Sequence, residues 1–268
     1  MKKIFLAVLA VATVFSVSAQ LKAPQIVANG GYHKAATSGA KNTMSALKAA
    51  QKLKVYGSEC DVNLTKDGDV LIVASGWHPD RKAKPKADVQ KTNAEKMLNI
   101  PHTNGEYISD LEDFVKRAKK KPATKLVLEL KPQATIQRET ELVETTLAIV
   151  DNADMNAYVE YISFSPWICF ELTKKAPQGT KVLYLSGDYE PKYVKGMGCT
   201  GIDYKFSILK KKKWMIKQAH KLGLTVNVWT VNKEEDIRWC IANGVDIITT
   251  DEPVLAKKIV KEMCGKQK

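Results

Sequence analysis

From residue 125 onward, short apolar runs of strand composition alternate with amphipathic helical patterns, and this alternation restricts the chain to a parallel α/β architecture. Lys125–Lys131, Val159–Phe164, Lys181–Leu185, Thr200–Tyr204, Leu224–Thr230 and Val245–Thr249 read as strands. Thr135–Val150, Trp167–Lys175, Trp214–Leu222, Glu234–Ala242 and Val254–Met263 read as helices, with a helical turn near 191–195. Upstream, the apolar run Gln25–Asn29 ends in Gly30-Gly31, and a helix over Met44–Leu53 can be capped by Asn42 or Thr43. A strand over 55–64 then turns at Thr65-Lys66-Asp67-Gly68 into a returning strand over 69–74. A polar excursion over 76–106 precedes a helix over 109–120. Eight strands alternating with helices predict a TIM (β/α)8 barrel with a short hairpin insertion after the second strand. A doubly wound sheet is the alternative, but its glycine-rich phosphate turn is missing.

A barrel builds its site at the C-terminal strand ends, where this chain places Asn29, Glu59, Asp61, Glu129, Lys131, Ser163, Asn232 and Asp251. Glu59 and Asp61 alternate on one strand and therefore share a face, and Glu129 and Lys131 repeat the pattern. Neighbouring carboxylates repel unless a cation, an ammonium group or a shared proton lies between them. Three carboxylates beside one ammonium suit a hard divalent cation with oxygen ligands, Lys131 receiving a phosphate or another anion. A buried ion-pair cluster is the competing reading; one lysine against three acids leaves negative charge that a metal would resolve.

The first residues pair a basic start, Lys2-Lys3, with an apolar run from Ile4 to Val17 and small residues at Val17-Ser18-Ala19. Residues 1–19 are expected to be a secretory signal peptide, leaving residues 20–268 as one barrel domain of an exported protein, periplasmic or secreted. The apolar run is shorter than the roughly 20 residues a span needs, so no stable membrane insertion is expected after its removal. Removal takes away two lysines and no acids, and the formal charge falls from +13 to +11. That charge favours a small anionic or phosphate-bearing ligand. Basic runs at 82–91, 116–121 and 210–213 lack interleaved aromatics and read as solvated faces, which argues against nucleic acid. Cysteines at 60, 169, 199, 240 and 264 show no paired spacing and no disulfide framework.

Several motifs together resemble one family. They are Ile26-Val27-Ala28 before the glycine turn, Asn42-Thr43 with its Ala-Leu helix, Gly57-Ser58-Glu59-Cys60-Asp61-Val62 with Thr65-Lys66-Asp67-Gly68, Leu128-Glu129-Leu130-Lys131, Trp229-Thr230-Val231-Asn232, and Gly244-Val245-Asp246 through Asp251-Glu252-Pro253. Their order and spacing, from Ile26 to about Val260, resemble the glycerophosphodiester phosphodiesterases. The resemblance implies a TIM barrel, a divalent metal, Ca2+ or Mg2+, and cleavage of glycerophosphodiesters to glycerol 3-phosphate and an alcohol. It maps the metal carboxylates onto Glu59, Asp61 and Glu129, the phosphate-side lysine onto Lys131 and a substrate-lining tryptophan onto Trp229.

The departures fall on the chemistry. Where that family has His-Arg-Gly after the first strand, this chain has Asn29-Gly30-Gly31; where it has its second histidine, this chain has Ser75; and the glutamate before its Asn-Thr pair is Lys41. The proton-shuttling histidine pair and the arginine are thereby replaced, and none of the replacements titrates near neutrality. His33 and His78 lie four and three residues beyond the lost positions and are the available substitutes, whereas His102 and His220 read as unconnected to the mouth. The expectation is a ligand-binding or weakly active pseudoenzyme. The alternative is an active phosphodiesterase using displaced histidines or metal-activated water.

Overall fold

The computed structural model describes residues 21–73 and 88–265. Strand β1 (Gln25–Ala28) pairs in parallel with both β2 (Gly57–Leu64) and β10 (Ile247–Thr250), which closes the sheet. From β2 the parallel ladder runs through β5 (Lys125–Leu130), β6 (Val159–Ser163), β7 (Val182–Tyr184), β8 (Gly201–Lys205) and β9 (Thr225–Trp229) to β10. These eight parallel strands form the TIM barrel the alternation predicts. Closure leaves no free edge, so every strand carries ladder hydrogen bonds on both sides.

The hairpin after β2 is the returning strand β3 (Val70–Ile72), extended antiparallel by β4 (Ser109–Asp110). Ser109 and Asp110, read from the sequence as the start of a helix, instead pair with Ile72 and Leu71 before α3 (Leu111–Lys119) begins. Asp110 caps α3 by accepting from Asp113 N–H, so the helix starts two residues later than the sequence reading placed it. The described part of the excursion carries a 3₁₀ turn at Val89–Lys91 and α2 (Ala94–Leu98). It has a small core of its own from Leu71, Val73, Val89, Met97, Ile100 and Ile108.

The remaining helices surround the barrel: α1 (Met44–Leu53), α4 (Ile136–Asn152), α5 (Pro166–Lys175), α6 (Pro191–Gly196), α7 (Phe206–Lys211), α8 (Trp214–Lys221), α9 (Glu234–Ala242) and α10 (Pro253–Cys264). Helix α7 has no counterpart in the sequence reading, because its Lys-rich end merges with the basic run at 210–213. The main core lies between strands and helices, where the outward residues Cys60, Val62, Leu126, Leu128, Tyr161, Ile202, Tyr204, Val226 and Val228 pack. The inward residues Val27, Val127, Ile162, Leu183, Leu185 and Ile247 fill the barrel itself. That period of two assigns each strand residue to helix side or barrel side and decides which polar residues reach the mouth. All five cysteines are free.

Candidate functional site

Three inward carboxylates meet at the C-terminal mouth. Oxygens of Glu59, Asp61 and Glu129 lie within 4.8 Å of one another. The strand register produces this: Asp61 stands directly opposite Glu129 across the β2–β5 pair, and Glu59 is two residues before Asp61 on the same face. Lys131, one inward position beyond Glu129, brings its Nζ to both Asp61 Oδ1 and Glu129 Oε1. Gly30 N–H donates to Glu59 Oε2 at 2.6 Å. Asn42 sits in the left-handed region and grips Asp61 twice, its Nδ2 donating to Oδ2 at 2.7 Å and its Oδ1 accepting from Asp61 N–H at 3.0 Å. The helix cap is therefore Thr43, which accepts from Ala46 N–H, and Asn42 serves the carboxylate.

The electrostatics follow from burial. Burial, and then the charges of Asp61 and Glu129, pushes the Glu59 carboxyl well above the carboxylate range, against Lys131 and Gly30. Burial likewise carries Glu129 up to about 7, with Lys131 opposing and Asp61 adding to the rise. Burial works to lower the Lys131 ammonium, but Asp61 and Glu129 outweigh it and hold the ammonium charged. One lysine does not neutralise the cluster, so the donor set fits a hard divalent cation held by Glu59, Asp61 and Glu129.

The cavity over these residues, about 390 Å³, is lined by Asn29, Gly30 and Lys41 on one side and by Phe164, Leu185 and Trp229 on the other. Trp229 is fixed by its Nε1–H donating to Asp203 O at 2.9 Å and by an edge contact with Phe164 at 5.6 Å between ring centroids. Asn29 occupies the first strand end and donates from Nδ2 to Asp251 Oδ1 at 2.9 Å. Lys41 Nζ reaches the same oxygen at 2.6 Å, its chain lying over Gly30. Asn232 orients Asp251 from the other side, donating to Oδ2 at 2.9 Å and accepting from Asp251 N–H at 2.8 Å.

One expected residue is missing from the mouth and one unexpected residue lines it. Ser163 is absent from the mouth: with Ile162 and Phe164 pointing inward, alternation turns it outward, where its hydroxyl donates to Leu130 O at 2.7 Å. Asp203, by contrast, lines the cavity from β8 although the sequence reading passed over it. Its signal was available, an acid flanked by the outward Ile202 and Tyr204 in a strand. His33 is half-buried near the mouth, its Nε2 4.0 Å from Asp251 Oδ1, yet it does not line the cavity. Burial and then the neighbouring Lys41 lower its pKa, with Asp251 opposing. Ser75 and His78 lie outside the described residues. His220 is at the opposite end of the barrel, 2.8 Å from Asp246, and His102 is in the excursion.

Residues 29–255 match the glycerophosphoryl diester phosphodiesterase family model. The chain belongs to the glycerophosphoryl diester phosphodiesterase family. Among relatives of that family, a glycerophosphodiester phosphodiesterase of Caldanaerobacter subterraneus is 25% identical over 232 residues, covering 83% of this chain and 93% of the relative. A crystal structure of a glycerophosphodiester phosphodiesterase from Parabacteroides distasonis superimposes with a TM-score of 0.84 at 32% identity, covering 90% of this chain and 98% of that one. An Oleispira antarctica phosphodiesterase solved with the product sn-glycerol-3-phosphate shares the fold, with a TM-score of 0.77 at 18% identity over 89% of this chain and 97% of that one. As a family member this chain carries an acidic cluster able to hold the family's divalent metal.

Proposed function

We propose that this chain is an exported family member that binds a divalent cation and a small phosphate-bearing ligand at the barrel mouth and hydrolyses phosphodiesters very weakly or not at all. The observation that carries the reading is the convergence of Glu59, Asp61, Glu129 and Lys131 in one cavity whose first strand end presents Asn29 instead of a proton-transferring group. A bound cation supplies charge that holds the ligand's phosphate oxygens. Lys131 adds a second positive group beside them, and Lys41 brings a third to the cavity wall. The carbon part of the ligand faces Phe164, Leu185 and Trp229. At the first strand end the cavity wall presents an amide, Asn29, that has no proton to exchange, and it is tied together with Lys41 to Asp251.

One observation favours an active enzyme instead, the approach of His33 to Asp251. That contact keeps the imidazole beside an acid which Lys41 and Asn29 already engage, and outside the cavity lining.

The phosphate platform is tested by Lys131→Met. Titration calorimetry with sn-glycerol 3-phosphate at saturating calcium is expected to show affinity falling about 10- to 100-fold, the loss of a charge-assisted contact. The metal-free variant should also unfold more easily, because breaking a buried ion pair costs about 3–5 kcal/mol. Unchanged affinity in Lys131→Met would place the ligand elsewhere.

A further inference from the structure

On the mouth side of β7 and β8 the surface carries large rings that nothing covers. Tyr189 in the loop after β7, Tyr193 in α6 and Trp214 at the start of α8 are 39%, 56% and 48% exposed. The loop is held in place: Tyr184 stacks on Tyr189 at 5.4 Å between centroids, Tyr204 Oη–H donates to Tyr189 O at 2.7 Å, and a Cβ at Gly187 would meet Ile208 of α7 at 2.5 Å. Tyr193 lies 6.4 Å from Tyr189, and α6 packs along α8. Helix α8 ends at the far end of the barrel, where His220 meets Asp246, so its first residue Trp214 is on the mouth side.

The same surface is basic. Lys205, Lys211, Lys212 and Lys213 are exposed and, among the described residues, form no ion pair and no side-chain hydrogen bond. The acids nearby are already engaged: Glu190 by Lys192, Asp236 by Lys210, and Asp188 by the Tyr184 hydroxyl. Lys205 ends β8 directly opposite Trp229 of the cavity wall, so the unpaired charge borders the mouth. From the sequence the run at 210–213 reads as a solvated face; the fold sets aromatic rings beside it. Lysines alone suit any polyanion, and they repel a second copy of this positively charged chain. Tyrosine and tryptophan rings among them suit the boundary layer of a bilayer, where the ring body enters the acyl edge and its polar tip stays wet.

We infer that Tyr189, Tyr193 and Trp214, with Lys205 and Lys211–Lys213, form a docking surface for an anionic lipid bilayer that turns the barrel mouth toward the headgroups. No helix of the described residues is long and apolar enough to cross a membrane, and the contact is peripheral. None of these residues lines the cavity, so the inference stands or falls apart from the phosphate platform.

Vesicle flotation tests it, using the protein from residue 20 onward so that the apolar run at 4–17 cannot itself bind lipid. Vesicles of phosphatidylcholine are compared with vesicles of equal parts phosphatidylcholine and phosphatidylglycerol. Binding to the anionic vesicles is expected to be at least about tenfold tighter, and to be lost at about 1 M salt, where the screening length falls to about 3 Å. Lys211→Gln, Lys212→Gln and Lys213→Gln together should weaken it about 100-fold. Tyr193→Ala with Trp214→Ala should weaken it about 10-fold at unchanged charge. Lys119→Gln, Lys120→Gln and Lys121→Gln together remove the same charge from exposed positions at the far end of the barrel, before β5 begins, and should leave binding within about twofold. All the substituted side chains are exposed, and an unfolding midpoint matching the wild type checks that each variant is folded. No binding to anionic vesicles, equal binding to both kinds, or equal weakening by the two lysine triples overturns the inference. An aromatic double variant that binds like the wild type also overturns it, leaving a surface for polyanions in general.

Discussion

Calcium or magnesium at about 100 times its dissociation constant is expected to stabilise the protein by about 2.7 kcal/mol, raising the unfolding midpoint by about 5–10 °C in a chain of this size. The cause is the cluster of Glu59, Asp61 and Glu129, whose oxygens crowd within 4.8 Å with one lysine among them. The effect should depend on pH. Burial carries the Glu129 carboxyl from 4.5 up to about 7, so without metal this group stabilises the fold at low pH and loses that contribution as pH rises through about 7. A cation competes with that proton, so the midpoint shift should be larger at pH 8 than at pH 5.5. Asp61→Ala should abolish the shift at both values. Scanning calorimetry with and without the ion checks this, and a wild-type midpoint indifferent to metal would leave the buried ion-pair cluster as the better account.

Putting back the proton-transfer groups is expected to have the second large effect. Asn29→His combined with Ser75→His should raise release of glycerol 3-phosphate from a glycerophosphodiester by on the order of 10²-fold or more, whereas either alone should change it only a few-fold. A general acid without its general base completes half of the proton transfer, so the two act as a unit. Adding Gly30→Arg should not help further. Gly30 has φ of +65°, and a Cβ there would meet the Lys41 side chain at 2.7 Å, so an arginine needs Lys41 shortened first. Lys41 and Gly30 are thus one substitution in two places: the lysine chain fills space above the glycine and its ammonium supplies charge to the same rim. A double variant no faster than the wild type would show that more than the histidines is missing.

The barrel was legible in the chain because strand and helix patterns have different periods and each strand here is bounded by turn residues. The carboxylate cluster was legible for the same reason: Glu59 and Asp61, then Glu129 and Lys131, are two apart, and two apart on a strand means one face. What alternation within a single strand left open was phase. Ser163 was misplaced because a polar residue at a strand end does not announce its face, and only the inward Ile162 and Phe164 settle it. Asp203 was missed through the opposite difficulty, an acid in mid-strand whose role depends on Asn227 and Thr249 on neighbouring strands, far away in sequence. Asn42 stood beside Thr43 as one of two candidate caps because local helix chemistry suffices to explain an asparagine there. Its grip on Asp61 is a contact between chain segments that only the fold brings together.

The most direct measurement is the time course of glycerol 3-phosphate released when the wild-type protein, from residue 20 onward and with saturating calcium or magnesium, meets glycerophosphocholine and glycerophosphoethanolamine. The account predicts release indistinguishable from, or barely above, the protein-free control, from a protein that nevertheless binds sn-glycerol 3-phosphate in the same buffer. Efficient multiple turnover that His33→Ala or His78→Ala removes would contradict it and make a displaced histidine the proton carrier.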